Sequence, residues 1–221
     1  MMSGSLAFIH RFEPGNRLEA PPLLLLHGTG GDENDLLPLG RAVSPGSTLL
    51  SPRGQVLERG MPRFFRRLAE GIFDEADVRR RAHELADFVQ AARTQYGIGA
   101  PVALGFSNGA NIAAAMLLLR PDALAGAVLL RAMVPLAQTP AVDLDGTPVL
   151  IVSGKTDPIV PTGHAGQLAT LLSKANADVT SEMLPVGHHL TQADVTIANG
   201  WMRAARFQER RDVVESATRS G

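Results

Sequence analysis

Along the chain, short apolar runs of strand length alternate with longer stretches in which apolar residues recur every three or four positions. The short runs predict strands over residues 6–12, 22–27, 48–51, 101–106, 124–130, 148–153 and 179–184. Several are apolar throughout, as strands buried on both faces of a parallel sheet tend to be. Between them, Ala82, Leu85, Ala86 and Val89 repeat at helical spacing among Arg79, Arg80, Arg81 and Glu84, which predicts a long helix over 74–96 ended by Gly97. Further helices are expected over 108–119, closed by Arg120 and Pro121, over 163–176 and over 191–211. Strand and helix in alternation predict an α/β fold: a mostly parallel central sheet with helices on both faces. Residues 53–73 have no place in this sheet and read as a long loop. With no internal repeat and no separating linker, the chain reads as a single domain over 1–221, ordered over about 6–211, with 212–221 as a frayed tail.

Composition narrows the chemistry. Of the 221 residues, 45% are hydrophobic and 19% charged, enough apolar material for a large core. The 21 basic and 22 acidic residues nearly cancel, so no global field would hold a nucleic acid. The absence of cysteine excludes a disulfide scaffold, a thiolate nucleophile and thiolate-held metals. The apolar run at 112–119 falls far short of the ~18 residues that cross a bilayer. Residues 1–17 lack a basic flank followed by an apolar stretch and a cleavage site, so a cytoplasmic location without membrane insertion is expected.

Gly105-Phe106-Ser107-Asn108-Gly109 fits G-x-S-x-G where an apolar strand gives way to a helix. A serine there is forced into a sharp turn at a helix N-terminus, where free N–H groups favour developing negative charge. Taken alone, Ser107 could simply cap that helix. However, Asp157 follows on the loop leaving a later strand, and Gly187-His188-His189-Leu190 places a histidine just before the final helix. The order Ser, Asp, His puts all three groups at C-terminal strand ends, where open α/β sheets gather reactive loops. Asp143 and Asp145 precede their strand and so belong to the opposite edge.

These motifs, with Leu26-His27-Gly28-Thr29-Gly30-Gly31-Asp32, Ser51-Pro52-Arg53-Gly54 and Asp157-Pro158-Ile159-Val160-Pro161, make the chain resemble the α/β-hydrolases of the phospholipase/carboxylesterase family, which includes acyl-protein thioesterases. The resemblance spans about residues 6–202. Phe64-Phe65-Arg66-Arg67 departs from it, standing where many relatives carry a tryptophan-containing segment. It implies an α/β-hydrolase fold without a separate lid domain, and a serine hydrolase of small or short-chain acyl esters or thioesters, acting through an acyl-enzyme. Ser107 would be the nucleophile, His188 the base in preference to His189, and Asp157 the carboxylate that orients it. The backbone N–H groups of Thr29 and Asn108 would form the oxyanion hole. The resembling enzymes often pair, so a homodimer is compatible with the resemblance, although no sequence feature shows one.

Met61, Phe64, Phe65 and Met133 are candidates for pocket walls, or for residues that pin the loop to the body. Arg131, a charge at a strand's C-terminal end, would either select polar or anionic substrates or pair with a nearby carboxylate. His164, His188 and His189 lie close in sequence, but no His-x-x-x-His helix accompanies them, so neither metal nor cofactor is expected. Cysteine-dependent dienelactone hydrolases and aspartate-dependent dehalogenases are excluded by residue identity. A perhydrolase, a carbon–carbon hydrolase and a non-catalytic binding protein on the same fold stay open.

Overall fold

A computed structural model describes residues 6–17, 19–161 and 163–207. Seven strands form one sheet: β1 (His10–Glu13), β2 (Leu23–Leu26), β3 (Leu49–Pro52), β8 (Val102–Phe106), β9 (Gly126–Leu130), β10 (Pro148–Gly154) and β11 (Asp178–Leu184). Four further short strands, β4 (Val56–Glu58), β5 (Met61–Arg63), β6 (Arg67–Ala69) and β7 (Ile72–Phe73), pair as two antiparallel hairpins outside it. The helices are α1 (Leu37–Val43), α2 (Glu75–Tyr96), α3 (Asn108–Leu119), α4 (His164–Lys174) and α5 (Gln192–Ala204).

The sheet order is β1-β3-β2-β8-β9-β10-β11, antiparallel only at β1–β3. β2, β8, β9 and β10 are buried on both faces, which is why their sequences are runs of apolar residues rather than alternations. Alternate residues feed two cores. Leu24, Leu26, Ala103, Leu129 and Ile151 pack with α2, α3 and α4, while Leu23, Leu25, Leu104, Val128 and Val152 pack with α1 and α5. From β2 the chain crosses to β3 on one side, then returns through α2 to β8 on the other, so the order reverses between β2 and β8. The crevice at the C-terminal ends of the strands flanking such a reversal is where open α/β sheets place their ligands.

Three expectations need correction. Residues 53–73 are not one irregular loop, since both hairpins lie within them. The first strand begins at His10 rather than residue 6. The final helix stops at Ala204, with extended backbone at Ala205, instead of running to 211. Residues 208–211 and the tail at 212–221 lie outside the described residues.

Candidate functional site

Ser107 follows β8 directly and caps α3 with φ 52° and ψ −113°, a region that side-chain-bearing residues rarely adopt. The surroundings enforce it. Ser107 N–H donates to Leu130 O (2.8 Å) and Ser107 O accepts from Asn111 N–H (3.0 Å). A Cβ on Gly109 would lie 1.9 Å from Leu26 O, and one on Gly105 would lie 2.6 Å from Gly109 O. The two glycines are thus demanded by how closely α3 passes over β8 and the end of β2.

Asp157 leaves the end of β10 on a turn stitched to the end of β11 and the segment after it, through Lys155 N–H to Leu184 O (2.8 Å) and Thr156 N–H to Val186 O (3.1 Å). Its Oδ1 accepts from the N–H groups of Ile159 (2.8 Å) and Val160 (3.0 Å), and its Oδ2 from His188 Nδ1 (2.8 Å). Burial alone would raise this carboxyl's pKa. The Val160 and Ile159 N–H groups and the imidazole outweigh it and hold the acid below its ordinary range. An ionised carboxylate only accepts, so Nδ1 carries the proton and Nε2 of the neutral ring accepts from Ser107 Oγ, 3.0 Å away. Phe106 packs its ring 5.2 Å from that of His188. The geometry thus joins Ser107, His188 and Asp157. His189, exposed, turns its carbonyl to Arg131 instead.

The glycine loop after β2 is organised by His27, a residue whose importance the motif alone did not reveal. His27 Nδ1–H donates to Gly28 O (2.7 Å), and Nε2 accepts from Gly54 N–H (3.0 Å). Burial lowers its pKa, which keeps this ring neutral. Gly31 N–H also donates to Gly28 O (3.2 Å). Since the peptide unit is planar and trans, tethering Gly28 O on one side aims Thr29 N–H to the other. Asn108 N–H, at the first position of α3, has no acceptor within its own helix. Among the described residues neither N–H makes a hydrogen bond. Arg63, buried at the end of β5, donates to Thr29 Oγ1 (2.8 Å).

The pocket candidates separate. Met61, on β5 and 40% exposed, lies beside the glycine loop, its Sδ 3.6 Å from where a Cβ on Gly30 would stand. Phe64 and Phe65 are buried: Phe64 packs on His27 (4.7 Å between rings) and Phe65 on Phe73 (5.0 Å). They pin the hairpins to the body. Met133 is also buried, its N–H bound to Asn111 Oδ1 (2.7 Å). Arg131 is fully buried, in a two-pronged ion pair with Asp194 (2.7 and 3.0 Å), so the reading in which it meets substrate is corrected. The signal for Asp194 was Thr191-x-x-Asp194, a capping sequence at the start of α5. Among the described residues, no group of three or more His, Asp or Glu could hold a metal ion, and no helix is long and apolar enough to cross a membrane.

Comparison with known proteins agrees with this architecture. The profile of the Phospholipase/Carboxylesterase family matches residues 10–205. A Bacillus subtilis (strain 168) protein named "Putative hydrolase MhqD" is 47% identical over 185 residues, covering 83% of this chain and 92% of that one. The crystal structure of a Bacillus cereus carboxylesterase superposes with a TM-score of 0.87 at 47% identity, over 90% of this chain and 94% of that one. A carboxylesterase from Mesorhizobium loti does so with a TM-score of 0.86 at 33% identity, over 91% and 97%.

Proposed function

Because the chain belongs to the phospholipase/carboxylesterase family of α/β-hydrolases, and so is an esterase-type hydrolase, we propose that Ser107 is its nucleophile in a Ser107–His188–Asp157 triad acting on short-chain acyl esters. The observation that carries this reading is the continuous hydrogen-bonded chain from Ser107 Oγ through both nitrogens of His188 to Asp157 Oδ2, at the reversal of strand order.

The chemistry follows from the donors and acceptors. Ser107 Oγ attacks the ester carbonyl carbon as its proton passes to His188 Nε2, and the carbonyl π pair moves onto oxygen. Asp157 keeps the imidazole in the tautomer that can accept this proton and stabilises the cation that results. The N–H groups of Thr29 and Asn108 receive the oxyanion, a contribution of roughly 10²–10³-fold for each such donor. Collapse expels the alcohol, which takes the proton from Nε2. A water molecule, deprotonated in turn by His188, then releases the acid and restores Ser107. A thioester would follow the same course with a thiol as leaving group. Support for short acyl chains comes from what surrounds the crevice: the segment between β3 and α2 is occupied by two small hairpins rather than by a lid domain, and its two adjacent phenylalanines face inward.

The test is labelling with a fluorophosphonate, located by mass spectrometry, followed by hydrolysis of p-nitrophenyl esters and acyl thioesters of increasing chain length. Modification is expected at Ser107, with turnover falling on the order of 10⁴-fold in Ser107→Ala and His188→Ala. Labelling at another residue overturns the triad. A rate that climbs with chain length beyond octanoyl overturns the short-chain assignment.

A further inference from the structure

We infer that Arg131, held by Asp194, is a positioning residue for the general base: its guanidinium fixes the backbone on both sides of His188 and so sets the Ser107–His188 alignment. This inference rests on the triad reading above.

A guanidinium carries five N–H bonds, and all five of Arg131 find acceptors. Nε donates to Gly187 O (3.0 Å), and Nη1 to Val152 O (3.3 Å) and Asp194 Oδ1 (2.7 Å). Nη2 donates to His189 O (3.1 Å) and Asp194 Oδ2 (3.0 Å). The carbonyls of the residues immediately before and after His188 are therefore gripped by a single rigid, planar group. Asp194 Oδ2 also accepts from Thr191 N–H (2.8 Å) and Oγ–H (2.9 Å), which locks the start of α5 to the same cation.

The other end of the device is the backbone of the same strand terminus. Leu130 O receives Ser107 N–H, and the next residue, Arg131, holds its own N–H on Val152 O (2.9 Å). One strand end thus sets the nucleophile through its carbonyl and the base through its side chain. Arg131 stands at φ 57°, which a side-chain-bearing residue sustains only where its surroundings demand it. Nor is a buried ion pair an economical route to stability, because desolvating two charges consumes most of their attraction. Lysine could not replace it, since three donors radiating from one nitrogen cannot span three carbonyls and two carboxylate oxygens.

Arg131→Lys and the apolar double variant Arg131→Met/Asp194→Leu separate positioning from folding, the second because it removes both buried charges together. Gly187 is half-buried and His189 exposed, so water can take over their carbonyls and the loop loses its alignment while the fold survives. Measured with p-nitrophenyl acetate, kcat is expected to fall about 10–100-fold in each folded variant, with KM within about threefold of wild type. The low-field Nδ1–H proton resonance of His188 should broaden or vanish in the same samples, while melting of Arg131→Lys stays cooperative. A folded variant with wild-type kcat and an unchanged resonance overturns the inference. Arg131→Lys decides if the double variant does not fold. In the wild-type protein the guanidinium protons of Arg131 should exchange slowly with solvent, and fast exchange also overturns it. Failure of the triad reading is a different result, namely wild-type enzyme that takes no fluorophosphonate on Ser107.

Discussion

At Ser107, the proposed nucleophile and backbone strain occupy the same residue. Its φ of 52° with ψ of −113° places the hydroxyl at the crevice, and conformations of this kind cost about 1–3 kcal/mol. Ser107→Ala removes the hydroxyl and keeps the strain, whereas Ser107→Gly removes both at an entropic cost of roughly 0.5–1 kcal/mol. Both variants are expected to be inactive, with Ser107→Gly melting a few degrees above Ser107→Ala. Scanning calorimetry decides, and a lower melting point for the glycine variant would show that the turn is unstrained. Gly109→Ala is the converse: a methyl group 1.9 Å from Leu26 O has nowhere to go, so loss of folded protein on expression is expected. The turn at Ser107 was legible in the sequence because G-x-S-x-G records steric demands local to five residues. Arg131 was half legible. A charge at a strand end announces that it needs a partner, but Asp194 lies 63 residues further on, and only the fold brings it near.

Among the elements, those that sequence pattern found are the ones whose periodicity is long enough to register. α2, with 22 residues, an Asp74 cap and a Gly97 stop at φ 64°, shows both its period and its ends. α1 has seven residues, and the strands of the two hairpins have two or three, too few for a repeat of 3.6 or 2 to stand out from chance. That is why residues 53–73 read as loop. What holds this layer down is equally invisible in one dimension: Asn108 Oδ1 accepts the buried N–H of Phe64 (2.8 Å) and so ties the chain between the hairpins to the first turn of α3. Asn108→Ala leaves that N–H without its acceptor, at a cost of about 1–3 kcal/mol. In a chain of this size each kilocalorie lowers the melting temperature by about 2–4 °C. Hydrogen exchange should show faster exchange across residues 56–73 with β8, β9 and β10 unchanged. Uniform protection throughout would mean that the hairpins are held by apolar packing of Phe64 and Phe65 alone.

For the whole molecule, the sheet order brings together groups from four strand ends, and the same convergence couples the candidate site to stability through pH. His27 lies where β2 ends, bonded through both ring nitrogens in its neutral form, and burial keeps its pKa below the ordinary imidazole value of about 6.5. In the unfolded chain that imidazole takes up a proton as pH falls through about 6.5, while the folded ring does not. The unfolded state then binds more protons, so stability rises with pH across this window. His27's contribution is fully present above the unfolded value and is lost as pH falls from there toward the lower folded one. Asp157 acts in the same sense further down, since its depressed pKa gives stability that disappears only as pH falls below the ordinary carboxylate range. The His27 window opens near 6.5 and that of Asp157 only near the ordinary carboxylate value, so between pH 7.5 and 5.5 His27 is separable from Asp157. His27→Gln keeps a donor and an acceptor without a titrating ring. Urea unfolding at pH 7.5 and pH 5.5 should show a larger loss for wild type than for His27→Gln, with a ceiling of about 1.4 kcal/mol per pH unit for one proton. Parallel losses in the two proteins would mean that the folded ring accepts its proton as readily as the unfolded one. Nε2 would then carry a proton and could no longer accept from Gly54 N–H, so the link from the glycine loop to the segment after β3 would be lost while Nδ1–H still tethered Gly28 O.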